Sequence, residues 1–472
     1  MLKKNSYNEL DGGMIMLKYE TDSRKVKPGQ IFVAIKGHTV DGHDFVEAAI
    51  KNGATAVVVQ NQKEYDVETI HVEDTEKYLR EHLVYEYQKK LSSLRLIGVT
   101  GTNGKTTTCY LAYQLLKKLG VKVAYMGTIG FYYEDDKIEL PNTTPDILRL
   151  YDLLLNALDK GCTTVVMEVS SHAIYYERIA GLRFEIGGFT NLTEDHLDFH
   201  KTMEEYLQAK VKLLNSMKED GTFLVNSDDE HSEAFEKRFP LTKEIGLNGK
   251  DYRILDYHFT PAETTLKVNI ENKEYTFSYH LTGKFNVYNM LFAIAIAHSY
   301  GFDLKTILDQ VKEVYPPKGR CETIRVFDSF AVVDYAHTPD AVEKVVDCYL
   351  ELAEGKIITV VGCGGDRDPL KRPIMGRIAT EKSDYVIFTD DNPRTEDERK
   401  IMDDILKGVN KTNYEVILDR HQAIKRALEL LKPNDIALIL GKGHEDYQIL
   451  GHEKVHFDDR EEIERFIQER SC

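Results

Sequence analysis

Short apolar runs alternate along this chain with stretches whose apolar residues recur every third or fourth position, a pattern that predicts strands followed by helices. Up to about residue 90, QIFVAI (30–35) and TAVVVQ (55–60) read as strands, while DFVEAAIKNG (44–53) and EKYLREHLVYEYQKK (76–90) read as helices. A second stretch, 91–314, holds the run at 94–99, then TTVVMEV (163–169), EIGGFTNL (185–192) and TFLVN (222–226), separated by helical segments such as 147–161. That order predicts a wound, mainly parallel sheet. Between 252 and 282 the pattern switches to strict alternation around the turn ENKE (271–274), which predicts antiparallel strands appended to the central sheet. After Tyr315-Pro316-Pro317 come the strands FAVVDY, IITVVG, YVIFTD, YEVILD and DIALILG, with helices near 340–353, 371–382, 397–409 and 421–432. The expected fold is therefore α/β in three domains: a small α/β domain over 1–90, a central domain over 91–314, and a second doubly wound sheet over 315–472.

At 472 residues, two to four cores are expected, and 42% hydrophobic residues suffice to fill them. A net charge of −17 argues against nucleic acid or an anionic membrane as partner. Cysteines 109, 162, 321, 348, 363 and 472 form no C-x-x-C pair, so reduced thiols are expected. No apolar run approaches the ~20 residues of a membrane span. The opening MLKKNSYNELDGG lacks a signal-peptide core, so a cytoplasmic enzyme is the expected class.

The chemistry begins at GVTGTNGKTTT (98–108), placed between a predicted strand and a predicted helix. Gly101, Thr102, Asn103 and Gly104 form a turn through which backbone can approach phosphate. Lys105 reaches the β/γ oxygens, Thr106 can ligate Mg²⁺, and Thr107 lies in the helix's first turn. Val99 stands where the common G-x-x-x-x-G-K-T motif has its first glycine, which points to a particular branch of ATP-using proteins.

Ligands of open α/β sheets bind beyond the carboxyl ends of the strands. In the third segment that end gathers Asp334, the 362–368 loop GCGGDRD with Arg367, Asp391-Asn392-Pro393-Arg394, Asp419-Arg420, and Gly441-Lys442-Gly443-His444-Glu445. Each alone is turn chemistry; together they predict a ligand site. In the central segment Glu168 and His196 follow neighbouring strands and offer oxygen and imidazole to a Mg²⁺ beside ATP. The plainer alternative is a helix-capping His196 and a lysine-paired Glu168; the phosphate loop favours the metal. Lys210 sits on a predicted helix, where a solvated lysine is the ordinary expectation.

The ordered motifs GTNGKTTT, NTTPD, MEVSSHA, FTNLTEDHLDFH, YLQAK, NSDD, GKFNVYN, VVDYAHTPDA, GCGGDRDPLKRP, DNPR and GKGHEDYQ resemble the Mur ligases over nearly the whole chain. The resemblance implies an N-terminal UDP-binding domain, a central ATPase and a C-terminal Rossmann-like domain that closes over both. It implies UDP contact at Ser23, otherwise part of a polar turn, and acceptor contacts at Thr143, Thr144, Ser170 and Arg178. Asn289, Arg320 and Asp334 match positions around the nucleotide. Lys210 matches a lysine that takes up CO₂ as a carbamate and joins Thr106, Glu168 and His196 around the metal.

The implied reaction is ATP-driven amide formation in peptidoglycan precursor synthesis, with UDP-MurNAc-L-Ala-D-Glu as acceptor and an acyl phosphate intermediate. The implied amine is meso-diaminopimelate, held by Arg367, Asp391, Asn392, Pro393, Arg394, Gly441 and Glu445. A guanidinium grips a carboxylate with two parallel hydrogen bonds, and diaminopimelate differs from lysine by a second carboxylate. Arg394 therefore favours it, and a lysine-adding ligase is the alternative. Glu398 and Cys321 depart from the pattern, in place of a common proline and a larger apolar residue. A monomer without nucleic-acid or membrane partners is expected.

Overall fold

The computed structural model describes residues 9–10, 14–15, 17–37, 40–134 and 136–471; most of the opening segment read above and Cys472 lie outside them. The fold is α/β throughout, and its residues gather into two compact units: Met1–Glu244 with Ser299–Gly301, and Ile245–His298 with Phe302–Cys472.

The first unit starts with a small parallel sheet in the order Tyr19–Glu20, Ile31–Val33, Ala56–Val59, Glu68–His71. The helix Thr75–Leu91 covers it with Leu79, Leu83, Tyr87 and Leu91, a four-residue repeat that sets these side chains on one stripe. The larger sheet of this unit runs Asp136–Ile138, Gly130–Tyr133, Val123–Gly127, Thr164–Glu168, Arg95–Thr100, Phe184–Phe189, Met217–Asn226. From Val123–Gly127 onward its pairs are parallel, and the fully buried strands Val123–Gly127 and Thr164–Glu168 carry the near-continuous apolar sequences such sheets need. The predicted strands all form. The three from Val123 to Ile138 were not anticipated: VAYMG and GFYY show no alternation of apolar and polar positions, although Gly120, Gly127 and Gly130 punctuate them.

In the second unit Tyr252–Phe259, Thr264–Ile270 and Lys273–Tyr279 pair antiparallel, as the alternation predicts. The helix Lys284–Tyr300 follows. It buries Val287, Leu291, Ile294 and Ile296 around its whole circumference, so no amphipathic period announces it. The last sheet runs Glu322–Val326, Ser329–Asp334, Ile436–Leu440, Ile357–Val361, Tyr385–Phe388, Tyr414–Val416, parallel in all but the first pair. Strand order reverses around Ile436–Leu440. The loops after Asp334, Val361, Phe388 and Leu440 therefore open at the same end of the sheet, where a crevice is expected. Helices Pro339–Leu350, Lys371–Lys382, Glu398–Leu406 and Arg420–Leu430 match the predicted ones within a few residues.

Candidate active site

In the first unit the strand Arg95–Thr100 delivers the chain into a turn capped by Gly104, from which the helix Lys105–Lys118 departs. Gly101 has φ 148°, and a side chain there would overlap the Thr190 hydroxyl, so only glycine fits. Lys105 folds back, donating from Nζ to the Gly101 carbonyl at 2.8 Å and the Thr102 carbonyl at 2.9 Å. Thr102 and Asn103 are tied to the 190–193 loop through Asn191 and Thr193. Thr107 is buried in the first helical turn.

Glu168 ends its strand fully buried, and a buried carboxylate must be surrounded by donors. Thr106 Oγ1 donates to Oε2 at 3.0 Å, Tyr125 OH to Oε1 at 2.6 Å, and the Thr128 amide to Oε1 at 2.8 Å. A side chain at Gly127 would collide with this carboxylate. The predicted acceptor residues hang on the same strand end. Thr128 meets Thr143 hydroxyl to hydroxyl at 3.0 Å, Thr144 donates to the Glu168 carbonyl at 2.8 Å, and Arg178 donates to the Thr144 carbonyl at 2.8 Å. Ser170 caps the helix Ser171–Tyr175.

Lys210 is not the solvated lysine of ordinary expectation. It is 1% exposed on the helix Met203–Val211 and donates to the Gly101 carbonyl at 2.9 Å, the oxygen that Lys105 also uses. Burial and the neighbouring Lys105 charge push its ammonium well below the ordinary lysine range. Tyr206, one turn earlier, lies 4.2 Å beneath the Lys210 Nζ and reaches Thr102 Oγ1 with its hydroxyl at 3.2 Å. His196 has φ 53°, its ring 4.9 Å from that of His172 and 6.1 Å from that of Tyr206. Thr106 and Glu168 thus touch directly, while His196 and Lys210 approach through Tyr206. Among the described residues no group of three or more His, Cys, Asp or Glu is gathered for a metal. The hydroxyl–carboxylate pair nonetheless is the oxygen set that a hard divalent cation takes.

The N-terminal prediction also lands on a structured turn. Ser23 is buried, its carbonyl accepts from Asn52 Nδ2 at 2.8 Å, and Asp22 grips Arg24 beside it.

In the second unit Asp334 is buried and accepts from the Cys321 and Ala336 amides at 2.7 and 2.8 Å; burial pushes its carboxyl above the usual range. Arg320 lies over the Tyr335 ring at 5.0 Å, and its buried Nε has no partner among the described residues. Asn289 donates to Asn286 within its helix. The Gly441 amide donates to the Asp334 carbonyl at 3.0 Å. Asn392 donates to Glu445 Oε2 at 2.8 Å. Arg394, at φ 54°, donates to the Gly365 carbonyl at 2.8 Å, and its backbone joins Ile449 of the strand Tyr447–Leu450 and Gly451 just after it. Together with Pro393, Glu396, Asp397, Glu398, Arg399, Leu450 and Gly451 it lines a cleft of about 420 Å³. Asp391 is buried at the start of this loop, and Arg367 is exposed, its one hydrogen bond among the described residues going to the Asp366 carbonyl. Sequence reasoning missed Tyr125, Thr128 and Tyr206, and placed Lys442 in the ligand-site cluster without giving it a role. The first two lie on or beside an unforeseen strand; Tyr206 is one helical turn from Lys210, a spacing that pointed to it.

Residues 19–93 match the Mur ligase family catalytic domain, 99–297 the Mur ligase middle domain, and 319–443 the Mur ligase glutamate ligase domain. The UDP-N-acetylmuramoyl-L-alanyl-D-glutamate–2,6-diaminopimelate ligase of Clostridium tetani is 41% identical, covering 99% of both chains. The Bacillus cereus protein of the same name is 42% identical over 94% of this chain and 92% of its own. A solved structure bearing that name has a TM-score of 0.71 at 34% identity, covering 98% of each chain.

Proposed function

The chain belongs to the Mur ligase family, and from that premise we propose that it is an ATP-dependent ligase joining meso-diaminopimelate to UDP-MurNAc-L-Ala-D-Glu. The phosphate-loop turn and the first amides of Lys105–Lys118 receive the triphosphate. Lys105 then exchanges its carbonyl partners for phosphate oxygens. Thr106 and Glu168 would hold Mg²⁺, with His196 and a carbamate on Lys210 as further ligands. When bound, that ion supplies positive charge against the phosphate oxygens.

A carboxylate oxygen leaves poorly and phosphate leaves well. The D-glutamyl carboxylate therefore attacks the γ-phosphorus, ADP departs, and an acyl phosphate forms; the amine then displaces phosphate through a tetrahedral intermediate. Lys105 holds the migrating phosphoryl group, while Thr143, Thr144, Ser170 and Arg178 orient the acceptor. The carbamate reading rests on burial. A neutral amine adds to CO₂ and loses a proton, and the desolvated Lys210 beside Lys105 is disposed toward that form.

One observation carries the choice of amino acid: Arg394 lines a cleft within the same loop as Asn392, which is bonded to Glu445. A guanidinium and a carboxylate in one loop cluster match the distal zwitterion of diaminopimelate. Lysine would leave the guanidinium unpaired, so the lysine-adding alternative is the weaker reading. The domain roles follow: 1–90 for UDP, 91–314 for ATP, 315–472 for the amino acid, with a cytoplasmic, monomeric enzyme. Phosphate release tests the reading. Release that requires both the UDP-dipeptide and diaminopimelate supports ligation; release indifferent to the amino acid contradicts it.

A further inference from the structure

The GKGHE loop contains a lysine to which the proposed site gives no task. Lys442 is 0% exposed. Its Nζ donates to Asn392 Oδ1 at 3.1 Å and lies 3.4 Å from Glu445 Oε2, the oxygen that Asn392 Nδ2 reaches at 2.8 Å. The three side chains close a triangle. Because Lys442 can only donate, it fixes which way the Asn392 carboxamide faces: oxygen toward the ammonium, nitrogen toward Glu445. The same Asn392 oxygen accepts from the Ile449 amide at 2.9 Å, and the Ile449 carbonyl accepts the Arg394 amide at 3.0 Å. One buried cation is thus linked to both Glu445 and the Arg394 backbone.

The charges around it are uneven. Arg420 and Asp459 are both fully buried and pair through two 2.7 Å bonds. Asp391 and Glu445 face Lys442, and the Arg420 charge also acts on both carboxylates. Burial and the nearby Arg420 charge push the Lys442 ammonium below the ordinary lysine range, against the pull of Asp391, Glu445 and Asp459. Lys442 and Asn392 both donate to one oxygen of Glu445, Oε2, which leaves Oε1 for an incoming ammonium.

We infer that Lys442 is a positioning residue for amino-acid selectivity, locking Asn392 and Glu445 in the one arrangement that receives the distal ammonium of the amine substrate. The inference rests on diaminopimelate being that substrate. A lost charge-assisted hydrogen bond of this kind corresponds to roughly a ten- to hundred-fold effect.

The test is steady-state kinetics of the full chain, with each of the three substrates varied in turn, for wild type, Lys442→Met, Lys442→Gln, Glu445→Gln and the Lys442→Met/Glu445→Gln double variant. Wild-type turnover with diaminopimelate comes first, since its absence removes the functional reading rather than this one. The expected result is a roughly ten- to hundred-fold rise in KM for diaminopimelate in both Lys442 variants. KM for ATP and for the UDP-dipeptide stays within about two-fold, and the double variant loses little more than Glu445→Gln alone, because Lys442 acts through that carboxylate. Unchanged KM for diaminopimelate, equal losses for all three substrates, or additive effects in the double variant would overturn the inference. If Lys442→Met fails to fold, Lys442→Gln carries the same comparison.

Discussion

Single side chains carry the sharpest expectations. Arg394→Ala removes the fork proposed for the distal carboxylate while leaving the phosphate loop intact. A loss of roughly a hundred-fold or more in kcat/KM for diaminopimelate, with KM for ATP unchanged, is expected from steady-state assays. Lys210→Ala removes the proposed anion beside the metal. Activity falls steeply and returns in part with added short carboxylates; a variant fully active without them contradicts the carbamate. Asp390 adds a pH dependence of stability. Burial and the adjacent Glu398 carboxyl push it up to about 8. The folded state therefore holds a proton that the unfolded chain releases near pH 4, and the stability tied to that proton is lost as pH rises toward 8. The thermal midpoint should fall as pH rises from about 4 to about 8 and level off above that, and Asp390→Asn should flatten that fall. An identical slope in the variant counts against the assignment.

At the scale of elements, the strand–turn–helix over Arg95–Lys118 is the most demanding piece of backbone. Gly101→Ala introduces strain of about 1–3 kcal/mol and an overlap with Thr190. Thermal unfolding with and without ATP should show a lowered midpoint and the loss of nucleotide stabilisation. The same elements show what the sequence could reveal. The phosphate loop was legible because Gly, Lys and Thr at fixed spacing between a strand and a helix have one physical use. The last sheet was legible because its strands are short apolar runs ending in polar clusters. Val123–Gly127 was not, although it supplies Tyr125 to Glu168. A strand buried on both faces has no alternation to read, and a tyrosine in it looks like core until its hydroxyl partner is seen. Lys442 was hidden differently. It sat in a quoted motif, but a lysine's burial is decided by residues some 50 positions away in sequence, Asn392 among them.

For the whole molecule, the net charge of −17 coexists with anionic substrates because the cations that matter are local. Lys105 and Lys210 share one carbonyl in the first unit, and Arg394 and Lys442 sit in the loop cluster of the second. Screening over about 8 Å at physiological ionic strength keeps distant surface carboxylates from cancelling them. Family membership, the α/β fold and the motif order were all readable from the chain, whereas the contacts that hold Glu168, Lys210 and Lys442 in place were not.

The account is tested most directly by incubating the purified protein with ATP, Mg²⁺ and UDP-MurNAc-L-Ala-D-Glu, offering meso-diaminopimelate and L-lysine in equal amounts, and weighing the product by mass spectrometry. The predicted result is a single UDP-tripeptide carrying the mass of diaminopimelate, formed with stoichiometric ADP. A product carrying lysine, or ADP released with no new amide, would contradict it.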